Sequence, residues 1–121
     1  MENVVLEKSF SFAVRVVNAY RYLNESKKEY ILSKQLLRCG TSIGANIEEA
    51  MGAQSKKDFV SKLSIARKEA RETHYWVRLL EATKFFNESE SRSLLNDIDE
   101  ILKILTQIIL TTKSQIKKSH L

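Results

Sequence analysis

The chain contains no proline, only three glycines in 121 residues, and a single cysteine, Cys39. The tight turns of a β-sandwich or β-barrel draw heavily on Pro and Gly, so their scarcity argues against such folds and leaves helix as the dominant state. One cysteine excludes an intrachain disulfide, and a buried, reduced thiol in the cytoplasm is the simplest assignment. No apolar run approaches the roughly 20 residues that a membrane-spanning helix requires. The N-terminal stretch MENVVLEKSF also lacks the basic start of a signal peptide. These absences predict a cytoplasmic protein with no membrane association.

What is present is amphipathic periodicity over one domain, residues 1–121, with 43% hydrophobic residues. Leu6, Phe10, Ala13, Val17 and Tyr20 recur at steps of three and four and predict a first helix over Val4–Leu23. Ser26-Lys27-Lys28-Glu29 has the form of a capping box and predicts the start of a second helix there. That helix carries the stripe Leu32, Leu36, Cys39, Ile43, Ile47 and Ala50, and Gly52 supplies a left-handed stop. Ser55 begins a weaker box for a third helix, with the stripe Phe59, Leu63, Ala66, Ala70, Thr73, Val77 and Leu80. Asn87-Glu88-Ser89-Glu90 caps a fourth, with Leu94, Ile98, Ile101, Leu105 and Ile108 inward and a second row of Leu95, Leu102, Ile109 and Ile116 beside them. Short connections make consecutive helices antiparallel neighbours, so the predicted fold is all-α, an antiparallel up-down-up-down four-helix bundle.

Catalytic and metal chemistry find little support in these residues. Gly40 and Gly44 sit mid-helix, with no preceding strand and no GKS or GKT sequence to make a phosphate loop, so close packing of a neighbouring helix is the better explanation. Glu48, Glu49, Glu69 and Glu72 invite comparison with carboxylate-bridged metal bundles. Those bundles need Glu-x-x-His pairs, whereas His74 follows Arg71 at that spacing and His120 lies in the tail. The acids are better assigned to pairs at four-residue spacing such as Asp58/Lys62 and Lys68/Glu72. Cys39 lies on an apolar stripe without a motif-placed histidine. No enzyme activity, cofactor or metal is predicted.

Charge carries the functional signal. The net charge is +5, and the acids concentrate in the body of the last helix. At about 100° per residue, with Phe59 at zero, Lys56, Lys57, Arg67, Lys68, Arg71 and Arg78 fall on one flank of the third helix, with Tyr75 among them. Asp58, Glu69 and Glu72 fall on the other, with Trp76. Phosphates and bases are partners for an Arg-rich flank with an interleaved Tyr, which makes Lys57, Arg67, Lys68, Arg71, Tyr75 and Arg78 the candidate nucleic-acid site. Pairing of both flanks with neighbouring helices or subunits is the competing explanation. Trp76, Leu95, Leu102 and Ile109 exceed the apolar needs of one bundle and are the candidate oligomer interface, against the alternative of a wider monomer core.

The segment SKQLLRCGTSIGANIEEAMGAQSKKDFVSKLSIARKEARETHYWVRLL resembles the signature of the bacterial four-helix-bundle proteins encoded by intervening sequences within 23S rRNA genes. The same family includes the accessory variability proteins of diversity-generating retroelements. The match runs from Phe10 to Leu80, and the fourth helix matches only in pattern. The resemblance implies a homopentameric ring with a positive surface and no known enzymatic activity. For the retroelement relatives it implies binding to nucleic acid and to a reverse transcriptase. Two functions follow as expectations: a basic, homo-oligomeric, non-enzymatic bundle that binds RNA or DNA largely without sequence specificity, or a protein-interaction ring whose charged flanks serve assembly alone.

Overall fold

The computed structural model describes residues 2–119. Four helices follow one another, α1 (Glu2–Glu25), α2 (Leu32–Met51), α3 (Lys56–Ala82) and α4 (Glu88–Ser119), and no strand occurs among the described residues. Each helix packs on its neighbours in the order α1–α2–α3–α4–α1, while the diagonal pairs stay apart. This is the cyclic contact pattern of an up-down-up-down four-helix bundle. One apolar cluster fills the centre, with Leu36, Ile43, Leu63, Ala70, Val77, Ile98 and Leu105 all fully buried.

The stripes of α2, α3 and α4 match the sequence pattern closely, with small shifts at the helix starts. Ser33 rather than Leu32 opens the buried row of α2, and Val60 rather than Phe59 opens that of α3. The row predicted for α1 is wrong by one position. Val5, Ser9, Phe12, Val16 and Leu23 face the core, whereas Phe10 is 68% exposed. Apolar residues occur nearly all round α1, and a serine interrupts the row that is buried. Ser9 is tolerated there because its hydroxyl donates to the Leu6 carbonyl at 3.1 Å and because Gly44 lies opposite.

Gly40 and Gly44 do serve close approach. A Cβ at Gly40 would lie 2.7 and 2.8 Å from the two γ-methyls of Val16, and one at Gly44 would meet the Ser9 carbonyl oxygen at 3.4 Å. Both glycines therefore admit α1. Gly52 does not act as a left-handed stop, since its φ is −97°. Among the described residues, the two in left-handed conformation are lysines, Lys28 (φ 55°) and Lys84 (φ 71°), each in the connection that follows an upward helix.

The helix starts are built by side chains. Ser55 Oγ accepts from the Asp58 amide at 3.0 Å. Asn87 and Glu90 form a reciprocal box, each side chain accepting the other's amide at 2.8 Å. The box expected at Ser26–Glu29 is displaced, because α1 runs on to Glu25 and the chain turns through Lys28 before α2 begins at Leu32. Glu29 caps that later start, accepting from the amides of Ile31, Leu32 and Ser33 at 3.0, 2.8 and 2.8 Å. Burial pushes its carboxyl upward, but these amides and the Ser33 hydroxyl outweigh that effect and hold it below the usual carboxylate value.

Candidate nucleic-acid interface

The long α3 separates charge by helical geometry, and its two flanks meet different neighbours. Its acidic flank faces α2. There Arg38 reaches both Glu69, at 3.4 Å, and Glu72. Glu72 also accepts from Trp76 Nε1 at 3.0 Å. The expected Lys68/Glu72 pair is accordingly replaced by Arg38–Glu72, while Asp58 and Lys62 do approach to 4.0 Å. These acids are thus satisfied within the bundle.

The basic flank lies on the α4 side and remains exposed. Lys57, Lys68, Arg71, Tyr75 and Arg78 are exposed and Arg67 is half-buried. Among the described residues, no carboxylate lies within ion-pair distance of Lys57, Arg67, Lys68 or Arg71. Arg78 lies along the helix, where its Nε donates to His74 Nδ1 at 3.0 Å and its guanidinium carbon stands 5.9 Å from the centre of the Tyr75 ring. His74 Nε2 approaches Asp99 of α4 at 3.4 Å. Tyr75 and Trp76 meet edge to face, with ring centres 5.1 Å apart.

One cation on this face was not among the candidates from sequence. Lys103 of α4 lines a shallow recess together with Arg71, Asp99, Leu102, Thr106 and Gln107. It lies 32 positions from Arg71 in the chain. A helical projection of α4 combined with the antiparallel topology was the available signal, since it sets Lys103 on the outward flank next to α3.

Of the four residues proposed as an oligomer interface, one lies inside the bundle and three keep part of their surface open. Ile109 is 1% exposed and belongs to the bundle's own core. Trp76, Leu95 and Leu102 are partly buried and packed against that core. Apolar surface is instead exposed on α1, at Val4, Phe10 and Val14, and at Leu110 of α4.

Cys39 is fully buried, with Sγ 3.7 Å from the Leu36 carbonyl. Burial pushes its thiol up to about 11, with the Glu72 and Glu69 carboxylates adding to the rise, so a nucleophilic thiolate is strongly disfavoured. Among the described residues, no three His, Cys, Asp or Glu side chains gather as a metal-binding group, and His120 lies outside those residues. No described helix is long and apolar enough to cross a membrane.

Comparison with known proteins gives a consistent assignment. The family model described as 23S rRNA-intervening sequence protein matches residues 1–107. A crystal structure from Bacteroides thetaiotaomicron VPI-5482, described as a protein with unknown function from the S23 ribosomal protein family, superposes with a TM-score of 0.89. It shares 54% sequence identity, and the alignment covers 89% of this chain and 96% of that one. No curated protein matches the chain. With the family model spanning all of α1 to α3 and most of α4, the chain belongs to the 23S rRNA-intervening sequence protein family.

Proposed function

We propose that this protein is a non-enzymatic, basic, homo-oligomeric bundle that binds nucleic acid through the α3–α4 face, largely without sequence specificity. One observation carries the proposal: Glu69 and Glu72 of α3 are neutralised by Arg38 of α2, whereas Lys57, Arg67, Lys68 and Arg71 have no ion-pair partner among the described residues. Lys103 extends the same cationic surface onto α4. Unpaired guanidinium and ammonium groups on one rigid surface attract phosphates and release their counterions. The family's name, which ties it to intervening sequences of 23S rRNA, favours RNA as the polyanion. Repetition of the face around a homopentamer would multiply a modest charge into a strong local field and let several weak contacts act together. The number five comes from the family resemblance, as does a scaffolding role beside a reverse transcriptase or similar enzyme.

Changing Arg71 and Arg78 together to Glu tests the proposal, because both are exposed and neither lies in the core. RNA binding should be lost while circular dichroism and light scattering stay those of the parent. A variant that binds RNA as before would remove the flank from the site. One that falls apart into monomers would instead assign the flank to subunit assembly. Self-association itself is supported by the uncovered apolar side chains Val4, Phe10 and Val14. A monomer across the micromolar range in light scattering would refute it.

A further inference from the structure

Granted that the α3–α4 face binds nucleic acid, as proposed above, the geometry points to base-paired RNA, rather than single strands, as its ligand class. Proteins that hold single strands combine cations with aromatic rings on which successive bases stack. This face has almost no such platform. Of the exposed aromatic side chains among the described residues, Phe10 lies on α1 and Tyr30 precedes α2, which leaves Tyr75 alone on α3. Its ring is already engaged, by the Arg78 guanidinium 5.9 Å from its centre and by Trp76 edge to face at 5.1 Å. Arg78 is itself tied back to His74 at 3.0 Å. A base stacking on Tyr75 would have to compete with partners that the fold holds in place.

What the face offers instead is charge spread along one 27-residue helix. Lys57 and Arg78 lie about 31 Å apart along α3 at roughly 1.5 Å per residue, so the row is long enough to follow a duplex over several base pairs. Between them stand Arg67, Lys68 and Arg71, with Lys103 contributed by α4 beside Arg71. A duplex carries the phosphates of two strands along one axis, about twice the density of one strand, and does not need to be straightened to meet such a row. Recognition through phosphates without base contacts is also the ordinary mode for double-stranded RNA. The acid in the recess, Asp99, faces His74 and limits the row on its α4 side.

Fluorescence anisotropy with a labelled RNA duplex of roughly 20 base pairs, and with each of its separated strands, tests the inference on the full-length protein. The duplex should bind at least about tenfold more tightly at equal salt, with the steeper dependence on salt that more phosphate contacts produce. Tyr75→Ala should change duplex affinity less than about twofold, because no base rests on the ring. Arg71→Glu with Lys103→Glu should weaken it at least about tenfold, and Arg71→Gln with Lys103→Gln should do so in the same direction, the milder pair guarding against misfolding. Strands that bind as tightly as the duplex would overturn the assignment, and a tenfold loss of strand binding in Tyr75→Ala would identify stacking as the reason. Failure of both duplex and strands to bind would instead overturn the nucleic-acid proposal on which this one rests.

Discussion

Replacing Gly40 with Ala sets two effects of opposite sign against each other in the α1–α2 contact. Ala is favoured over Gly in a helix interior by about 1 kcal/mol. The new methyl, however, would lie 2.7 and 2.8 Å from the γ-methyls of Val16, about 1 Å inside the favourable carbon separation. Val16 is 1% exposed and β-branched, with one strongly preferred rotamer in a helix, so it cannot turn aside. Relief must come from moving α1. Overpacking of this kind costs about 1–3 kcal/mol, and after subtraction of the propensity gain the net loss should be about 0–2 kcal/mol. Gly44→Ala is the internal control, because its methyl would meet Ser9 at 3.4 Å, the edge of ordinary contact, and should stabilise by up to about 1 kcal/mol. Urea denaturation at matched protein concentration measures both, the matching being needed because assembly would shift apparent stability. In the Gly40→Ala/Val16→Ala double variant the clash disappears, so the combined loss should fall short of the sum of the single losses by about 1 kcal/mol. A Gly40→Ala protein more stable than the parent by the full propensity gain of about 1 kcal/mol, or strict additivity in the double variant, would refute the close approach of α1 to Gly40.

Other consequences can be checked by the same means. Ala70→Leu should cost about 1–3 kcal/mol, since Ala70 is fully buried between well-packed neighbours; an unchanged thermal midpoint would show slack in that seam. Because the Glu29 carboxyl is lower in the fold than its ordinary 4.5, its contribution is present above that pH and is lost as pH falls through the folded value. Acid titration of stability should show this loss in the parent and lack it in Glu29→Gln. Ser91 Oγ is buried without a hydrogen-bond partner. Ser91→Ala should therefore be neutral or stabilising by up to about 1 kcal/mol, whereas a clear loss would reveal a partner for that hydroxyl.

The legible parts of the fold were those where apolar residues sit on one side of a helix only. In α2 and α3 most residues beside the stripe are charged, polar or small, so Leu36 and Leu63 announce their own orientation. In α1, Val4, Val5, Leu6, Phe10, Phe12, Ala13 and Val14 surround the axis, and choosing among rows required knowing that Gly44 would receive Ser9. That is a tertiary fact. The displaced start of α2 is of the same kind, since Glu29 serves either position until the turn at Lys28 is known. Of the candidate site, the separation of charge on α3 was written in its periodicity. That Arg38 would neutralise Glu72, that Trp76 would lean on the same carboxylate and that Lys103 would stand near Arg71 depended on which helix came to lie on which side. Ile109 was misassigned because an apolar row next to the stripe looks the same whether it widens the core or faces a partner.

The seam between α1 and α4 is the sparsest of the four. It is bridged at its surface by Arg15, which reaches Asp97 at 2.6 Å and Ser93 Oγ at 2.8 Å, and by Lys8 with Glu100, all of them more than a third exposed. Charges so open to solvent are weakened by salt, while the Gly40 and Gly44 side of α1 is not. The α1–α4 seam is in this sense a latch, and α1 is the helix expected to detach first. Its amides should exchange with deuterated solvent ahead of those of α3, and ionic strength as well as temperature should set how often the latch is open.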